Sequence, residues 1–519
     1  MSPQTRHTVL IASIVSLGGF VFGFDASVIS GVVGYVRQEF GLNDWQTGFV
    51  VSAPTLGAVI SALCAGPLSD KIGRKRTLVI IAFLYTLSAI ASALAVSFTT
   101  LSAARFIGGL AFGSLMIAPI YIAEVSPAKL RGRLVSINQL NIVVGLSAAY
   151  FVNSLIQNLS QQDLQWVTQL GLSDNPWRWM LGFETLPALA WFLLLLALPE
   201  TPRWLLLKGR EEEARKVLTR LHESDTVDAE VTEIRDTLPQ TEEPLLKRVI
   251  ELFSPKVRFA ILLGVIVGIA QQITGVNAIY FYAPTIFEQS GVGTNAAFTQ
   301  AIWVGIINVI FTLVSMACID RFGRRPLLLG GLAGVFISML LTSWGFSEAT
   351  YQLTEEDATA LSESIPPHAL SPLIGQTFDS DLSFKEAISN AIGPEQLTQN
   401  ESALIQAAIE INATLVLVGI LGFVASFAIS LGPVMWVLFS EMFPNRIRGI
   451  AISFVGLVNS AVSYVVQLVF PWELNTLGTA TTFLIYGSFA LFFLFLVAAL
   501  LPETKGKSLE SLEHDLARP

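Results

Sequence analysis

The pattern of apolar and polar positions divides the chain into long apolar runs separated by short polar loops. Six runs lie near 8–36, 47–67, 77–96, 99–122, 134–157 and 178–198. After a polar stretch, six more follow near 258–288, 298–319, 327–346, 408–440, 450–470 and 480–501. Crossing ~30 Å of hydrocarbon takes a helix of about 20 residues. The pattern therefore predicts an all-α membrane protein with twelve transmembrane helices in two six-helix bundles, 1–199 and 258–501. Residues 200–257 between them are charged and helix-forming (GREEEARKVLTRLHE), and are expected to form a soluble helical linker. A second polar interruption, 347–405, is acidic and contains Pro366 and Pro367. Both a helical cap and a disordered loop fit its composition. Residues 502–519 form a short tail.

Composition agrees. The 519 residues are 52% hydrophobic and 14% charged, where soluble domains carry about 25% charged residues. The net charge of −9 comes without any basic tract suited to nucleic acid. Cys64 and Cys318 both fall in apolar runs, so neither a disulfide framework nor a metal cluster is expected. No phosphate-binding G-x-x-x-x-G-K-[ST] occurs, and no nucleophile–base set marks an enzyme. No cofactor is expected. The first run holds Asp25 and lacks a clear cleavage site, which favours a retained helix over a signal peptide. Lys and Arg cluster at 71–76, 129–133, 203–220, 321–325, 446–448 and 505–507, all on one side of the twelve-span topology. By the positive-inside rule that side is cytoplasmic, with both termini and the linker, and 347–405 faces outside.

The informative positions are polar residues inside the apolar runs. Residues 271–282 read QQITGVNAIYFY. An unpaired amide in hydrocarbon costs several kcal/mol, so such groups face a polar cavity or glue helices together. Gln271, Gln272 and Asn277 beside the helix-weakening Gly275 read as the wall of a midplane site. Amides donate and accept at once, as adjacent sugar hydroxyls do. Gln139, Asn308 and Trp436 are further candidates, the indole offering a face for a pyranose ring. Tyr280 and Tyr282 are candidate gate residues or structural aromatics. The charges Asp25, Arg105 and Glu184 lie in the first, fourth and sixth runs at similar depth. Asp25 and Arg105 are expected to pair. The pair is either a proton switch or a permanent structural bridge.

The two halves repeat each other. DKIGRK at 70–75 is answered by DRFGRR at 320–325, AEVSPAKLRG at 123–132 by SEMFPNRIRG at 440–449, and PETPRW at 199–204 by PETKGK at 502–507. Asp70, Arg74, Glu124, Arg131, Asp320, Arg324, Glu441 and Arg448 stand in these motifs at cytoplasmic helix ends. Acids and bases alternate there, where a topology signal needs only bases, so a salt-bridge latch that breaks on rocking is expected.

On these motifs the chain resembles the sugar porters of the major facilitator superfamily. The resemblance implies two pseudo-symmetric bundles around a sugar site. It matches Gln139, Gln271, Gln272, Asn277, Asn308, Trp436 and an added amide, Asn459, to sugar-binding positions. Ser460 departs from the family pattern, which commonly has Trp there. The resemblance also implies Asp25 as proton acceptor, paired with Arg105 and assisted by Glu184. The expected function is proton-coupled import of a hexose or pentose by a monomer in a bacterial inner membrane. A passive uniporter and a non-transporting sugar sensor are the rivals.

Overall fold

The computed structural model describes residues 3–221, 227–236, 249–255, 257–362, 364–444 and 447–505. Among them, twelve helices are long and apolar enough to cross a membrane. They are Pro3–Gly31, Asp44–Ile72, Arg74–Ala93, Phe98–Val125, Leu130–Ser160, Pro176–Leu196, Arg258–Glu288, Thr294–Phe322, Arg324–Ser347, Ala413–Met442, Arg448–Leu477 and Thr479–Leu500. Each matches one predicted apolar run. The 29-residue second span is about 43 Å long at 1.5 Å per residue. Its ends therefore project beyond the hydrocarbon, and they carry Asp44, Asp70 and Lys71.

Several spans are interrupted where the sequence weakens them. The seventh breaks at Thr274–Gly275, and Gly275 adopts a left-handed φ of 93° that a side chain would resist. The tenth breaks at Ser430, just before Gly432 and Pro433. The freed carbonyls find side chains: Ser315 donates to the Ile429 oxygen at 2.9 Å, and Gln271 to the Leu431 oxygen at 3.1 Å. The sixth is interrupted for one residue at Glu184.

Two compact units are present. The first is drawn from Met1–Ala26, Ala53–Ala149 and Arg178–Ile250. Its core is built around Tyr85, Tyr121 and Trp191. The first and fifth spans approach backbone to backbone, since a Cβ on Gly23 would collide with the Ile142 carbonyl. The linker helices Pro202–Leu207, Glu211–Leu221 and Val227–Asp236 belong to this unit and share a small core of Trp204, Leu218 and Val231. The linker residues 222–226, 237–248 and 256, and the tail beyond 505, lie outside the described residues.

The second unit is drawn from Ser27–Ser52, Tyr150–Trp177 and Glu251–Pro519. Segments from early in the chain thus pack with the later helices. Asn153 donates to the Val28 carbonyl at 3.0 Å, the Tyr150 hydroxyl to the Tyr280 carbonyl at 2.6 Å, and Trp45 stacks on Trp472 with centroids 6.1 Å apart. The polar interruption after the ninth span is neither a purely helical cap nor an unstructured loop. It is a folded module with a three-stranded antiparallel sheet of order β2-β1-β3, where β1 is Thr350–Gln352, β2 is Thr377–Phe378 and β3 is Ile409–Glu410. Its entry and exit strands pair with each other, Tyr351 opposite Ile409. Tyr351, Leu370, Phe384, Ile388, Leu404 and Ile405 form its core.

Candidate functional site

The first unit holds a buried charge site. Arg105 Nη1 donates to Asp25 Oδ1 at 2.6 Å, and Arg105 Nη2 to the Asp25 main-chain carbonyl at 3.1 Å. The expected pair is therefore formed. Asp25 and Arg105 are each 1% exposed or less, and Glu184 is equally buried. Glu184 faces both partners electrostatically from the interruption of the sixth span. Asp25 Oδ2 and Glu184 Oε1 have no hydrogen-bond partner among the described residues. Two carboxyls thus face one guanidinium in a place that water does not reach. Leaving such oxygens unpaired is costly, and a proton on one of them removes the excess charge. Gln139 lies in the same unit, half-buried on the fifth span.

The second unit holds a chain of amides. Asn459 Nδ2 donates to Gln271 Oε1 and to the Gly268 carbonyl, both at 2.8 Å. Gln272 Nε2 reaches Asn459 Oδ1 and Gln271 Oε1, each at 3.1 Å. Asn277 Nδ2 donates to Gln272 Oε1 at 2.6 Å and to Ser463 Oγ at 2.5 Å. The break at Gly275 makes this possible, because it turns Asn277 back towards Gln272. Gln467 Nε2 donates to the same Ser463 hydroxyl at 2.8 Å. Asn308 is buried and accepts from the Tyr280 hydroxyl at 3.2 Å. Trp436 stays 45% exposed, its ring edge against Phe439. The structure therefore joins Gln271, Gln272, Asn277 and Asn459 in one network and sets Asn308 and Trp436 apart from it. These hydrogen bonds tie the seventh span to the eleventh. The sequence reading missed Ser463 and Gln467. The signal was present as N-x-x-x-S-x-x-x-Q from Asn459, one helix face of the eleventh span.

Tyr280 and Tyr282 are both buried, and the Tyr282 hydroxyl donates to the Gln467 carbonyl at 3.0 Å. Tyr282 also lines a cavity of about 70 Å³ with Arg37, Thr285, Glu288, Gln289 and Glu401. That is room for a few waters and not for a ring sugar.

The repeated motifs form matching clusters, each complete within its own unit. Arg74 pairs with Asp70 at 2.7 Å and with Glu124 at 3.3 Å, and Glu124 accepts the Thr201 hydroxyl at 2.6 Å. In the second unit Arg324 pairs with Asp320 at 3.1 Å and with Glu441 at 2.6 Å, and Glu441 accepts the Thr504 hydroxyl at 2.7 Å. Arg131 and Arg448 donate to the carbonyls of Ala123 and Phe443 at 3.1 and 3.2 Å. Glu503 accepts the backbone N–H groups of Arg324 and Arg325 at 3.0 and 3.1 Å.

A family profile described as Sugar (and other) transporter matches residues 11–361 and 396–516. The chain belongs to the sugar transporter family. The unmatched residues 362–395 of this sugar transporter fall inside the folded module. It is 33% identical to an arabinose-proton symporter of Bacillus subtilis over 98% of this chain and 96% of that one. It is 32% identical to a D-xylose transporter of Levilactobacillus brevis, over 96% and 94%. Among solved structures it is similar to the inward open conformation of the xylose transporter XylE from E. coli. The TM-score there is 0.73 at 28% identity, covering 98% of this chain and 99% of that one. The transporter thus has the twelve-span major facilitator fold, and it is a multi-pass membrane protein.

Proposed function

We propose that this protein imports a monosaccharide together with a proton by alternating access, in a bacterial plasma membrane. One observation carries the coupling. Asp25 and Glu184 are buried carboxyls that face each other beside a single guanidinium, and among the described residues Asp25 Oδ2 and Glu184 Oε1 have no hydrogen-bond partner. With both ionised, the site bears one uncompensated negative charge. A proton neutralises it. On Asp25 the proton weakens the bond to Arg105, because a charge-assisted hydrogen bond is roughly twice as strong as a neutral one. Arg105 is then free to turn towards Glu184. Proton binding thereby biases one conformation over another, which is what coupling requires.

The sugar contacts are Gln271, Gln272, Asn277 and Asn459, with Asn308 and Trp436 of the same unit, and Gln139 of the first unit, as further candidates. A sugar exchanges protein–protein amide bonds for protein–hydroxyl ones, so the network is already arranged for its donors and acceptors. Relatives named as an arabinose-proton symporter, a glucose transporter and a D-xylose transporter support a hexose or pentose. The Lys and Arg clusters support cytoplasmic termini, placing the folded module outside. The contacts of Ser27–Ser52 and Tyr150–Trp177 with the later helices then describe a state closed at its outer end. The paired motif clusters at the inner end serve as latches whose charges re-pair when that end closes.

The test is a panel of hexoses, pentoses and inositol added to proteoliposomes holding the purified protein in native orientation. One sugar should alkalinise the outer medium as it enters. A uniporter would move sugar with no pH change, and a sensor would bind sugar with no flux; either result overturns symport.

A further inference from the structure

The module between the ninth and tenth spans sits on a set of partly buried charges that neither the sugar site nor the proton site uses. Glu401, on its last helix (Pro394–Ala408), pairs with Lys385 Nζ at 2.6 Å and with Arg37 Nη1 at 3.5 Å. Lys385 belongs to the module, on the helix Asp381–Ile392. Arg37 does not. It stands on the helix Val33–Glu39 that extends the first span, and it also holds Asp44 at 3.2 Å. Asp44 in turn accepts from Asn475 at the end of the eleventh span, at 2.7 Å. Gln289, at the end of the seventh span, donates to Glu401 and accepts from Lys385, each at 3.2 Å. Glu288 faces Glu401 across the small cavity that Tyr282 lines. A second tie joins Gln38 to the Gln399 carbonyl at 3.3 Å.

The module itself is rigidly held. Its own strands close it, and Asp381 accepts the Thr479 N–H and hydroxyl at 2.9 and 2.8 Å, fixing it to the start of the twelfth span. Of the ties just described, those through Arg37 and Gln38 reach the segment that leaves the first span. That segment must move if the outer end is to open, whereas Lys385, Gln289 and Asp381 stay with the later helices. Burial pushes the Glu401 carboxyl up, but the charges of Lys385 and Arg37 and hydrogen bonds from Lys385 and Gln289 outweigh it and hold it at about 2. Glu401 is therefore ionised and remains a partner for Arg37.

We propose that the module is a strap on the outer gate, with Glu401 gripping Arg37 only when that gate is shut. It biases the transporter towards the outward-closed state and so sets the rate at which empty carrier returns to face outside. This rests on the transport reading and the orientation above.

The test uses the full-length protein with Cys64 and Cys318 replaced and Thr285→Cys placed in the gate cavity. Glu401→Gln and, separately, Arg37→Gln should raise labelling by a membrane-impermeant maleimide from outside by about tenfold, the change that ~1.4 kcal/mol of state preference produces. The KM for external sugar should fall, because more carrier is poised to bind. Unchanged labelling in both variants overturns the strap. As a second test, Gln38→Cys and Gln399→Cys are joined by a short reducible cross-linker. Uptake should stop and return on reduction. Uptake at the uncross-linked rate overturns the proposal. Failure of the transport reading looks different, since the protein without these substitutions would then move no sugar.

Discussion

Replacing Asp25 by Asn removes one ionisable group and keeps its shape. In the structure, Arg105 loses a charged partner at 2.6 Å in a site 1% exposed. Breaking a buried pair by removing one partner costs about 3–5 kcal/mol when the other charge is stranded. Here Glu184 remains beside Arg105 and can take over as its partner. We therefore expect a smaller loss, about 1–3 kcal/mol. In detergent this should appear as a fall of a few degrees in Tm. Adding Glu184→Gln to Asp25→Asn removes the substitute, and the loss should exceed the sum of the two single losses. Sugar counterflow needs no net proton movement, so Asp25→Asn should retain it and lose its dependence on pH. The reasoning is refuted if Asp25→Asn still couples sugar uptake to a pH gradient, or if the double variant is no less stable than the sum.

Other expectations follow from single contacts. Gln272→Ala removes a group bonded to Gln271, Asn277 and Asn459, and should weaken sugar binding by about 10–100-fold in calorimetry, with folding retained. Gly275→Ala forces a side chain into φ 93° with its Cβ 3.0 Å from the Tyr486 ring; a stability loss of about 1–2 kcal/mol or more is expected by thermal unfolding. The folded value of Glu401 lies below its unfolded one, so its contribution is complete above the unfolded value and is lost as pH falls towards about 2. The Tm difference between the unaltered protein and Glu401→Gln should therefore shrink as pH falls below about 4.

Much of this was legible in the chain because hydrocarbon tolerates few polar groups. Asp25, Arg105 and Glu184 stood out against apolar runs, and a charge there needs a partner, so their meeting could be foreseen. The break at Gly275 was equally visible, since glycine and paired glutamines in a span have few other uses. Ser463 and Gln467 were not foreseen. A serine or a glutamine in a thirty-residue helix is unremarkable until a neighbour from the seventh span reaches it. The module escaped for a different reason. Its strands are two or three residues long and pair across about twenty-five and about sixty positions, so no local periodicity announces them. The packing of Ser27–Ser52 and Tyr150–Trp177 with the later helices belongs to one state of a moving carrier, and a sequence encodes all of its states at once.

The most direct measurement is the equilibrium sugar ratio across proteoliposomes at zero membrane potential, as the pH difference is stepped. One proton per sugar predicts a tenfold rise in accumulation for each pH unit, the equivalent of about 1.36 kcal/mol. A ratio that stays near unity at every pH difference would contradict the account.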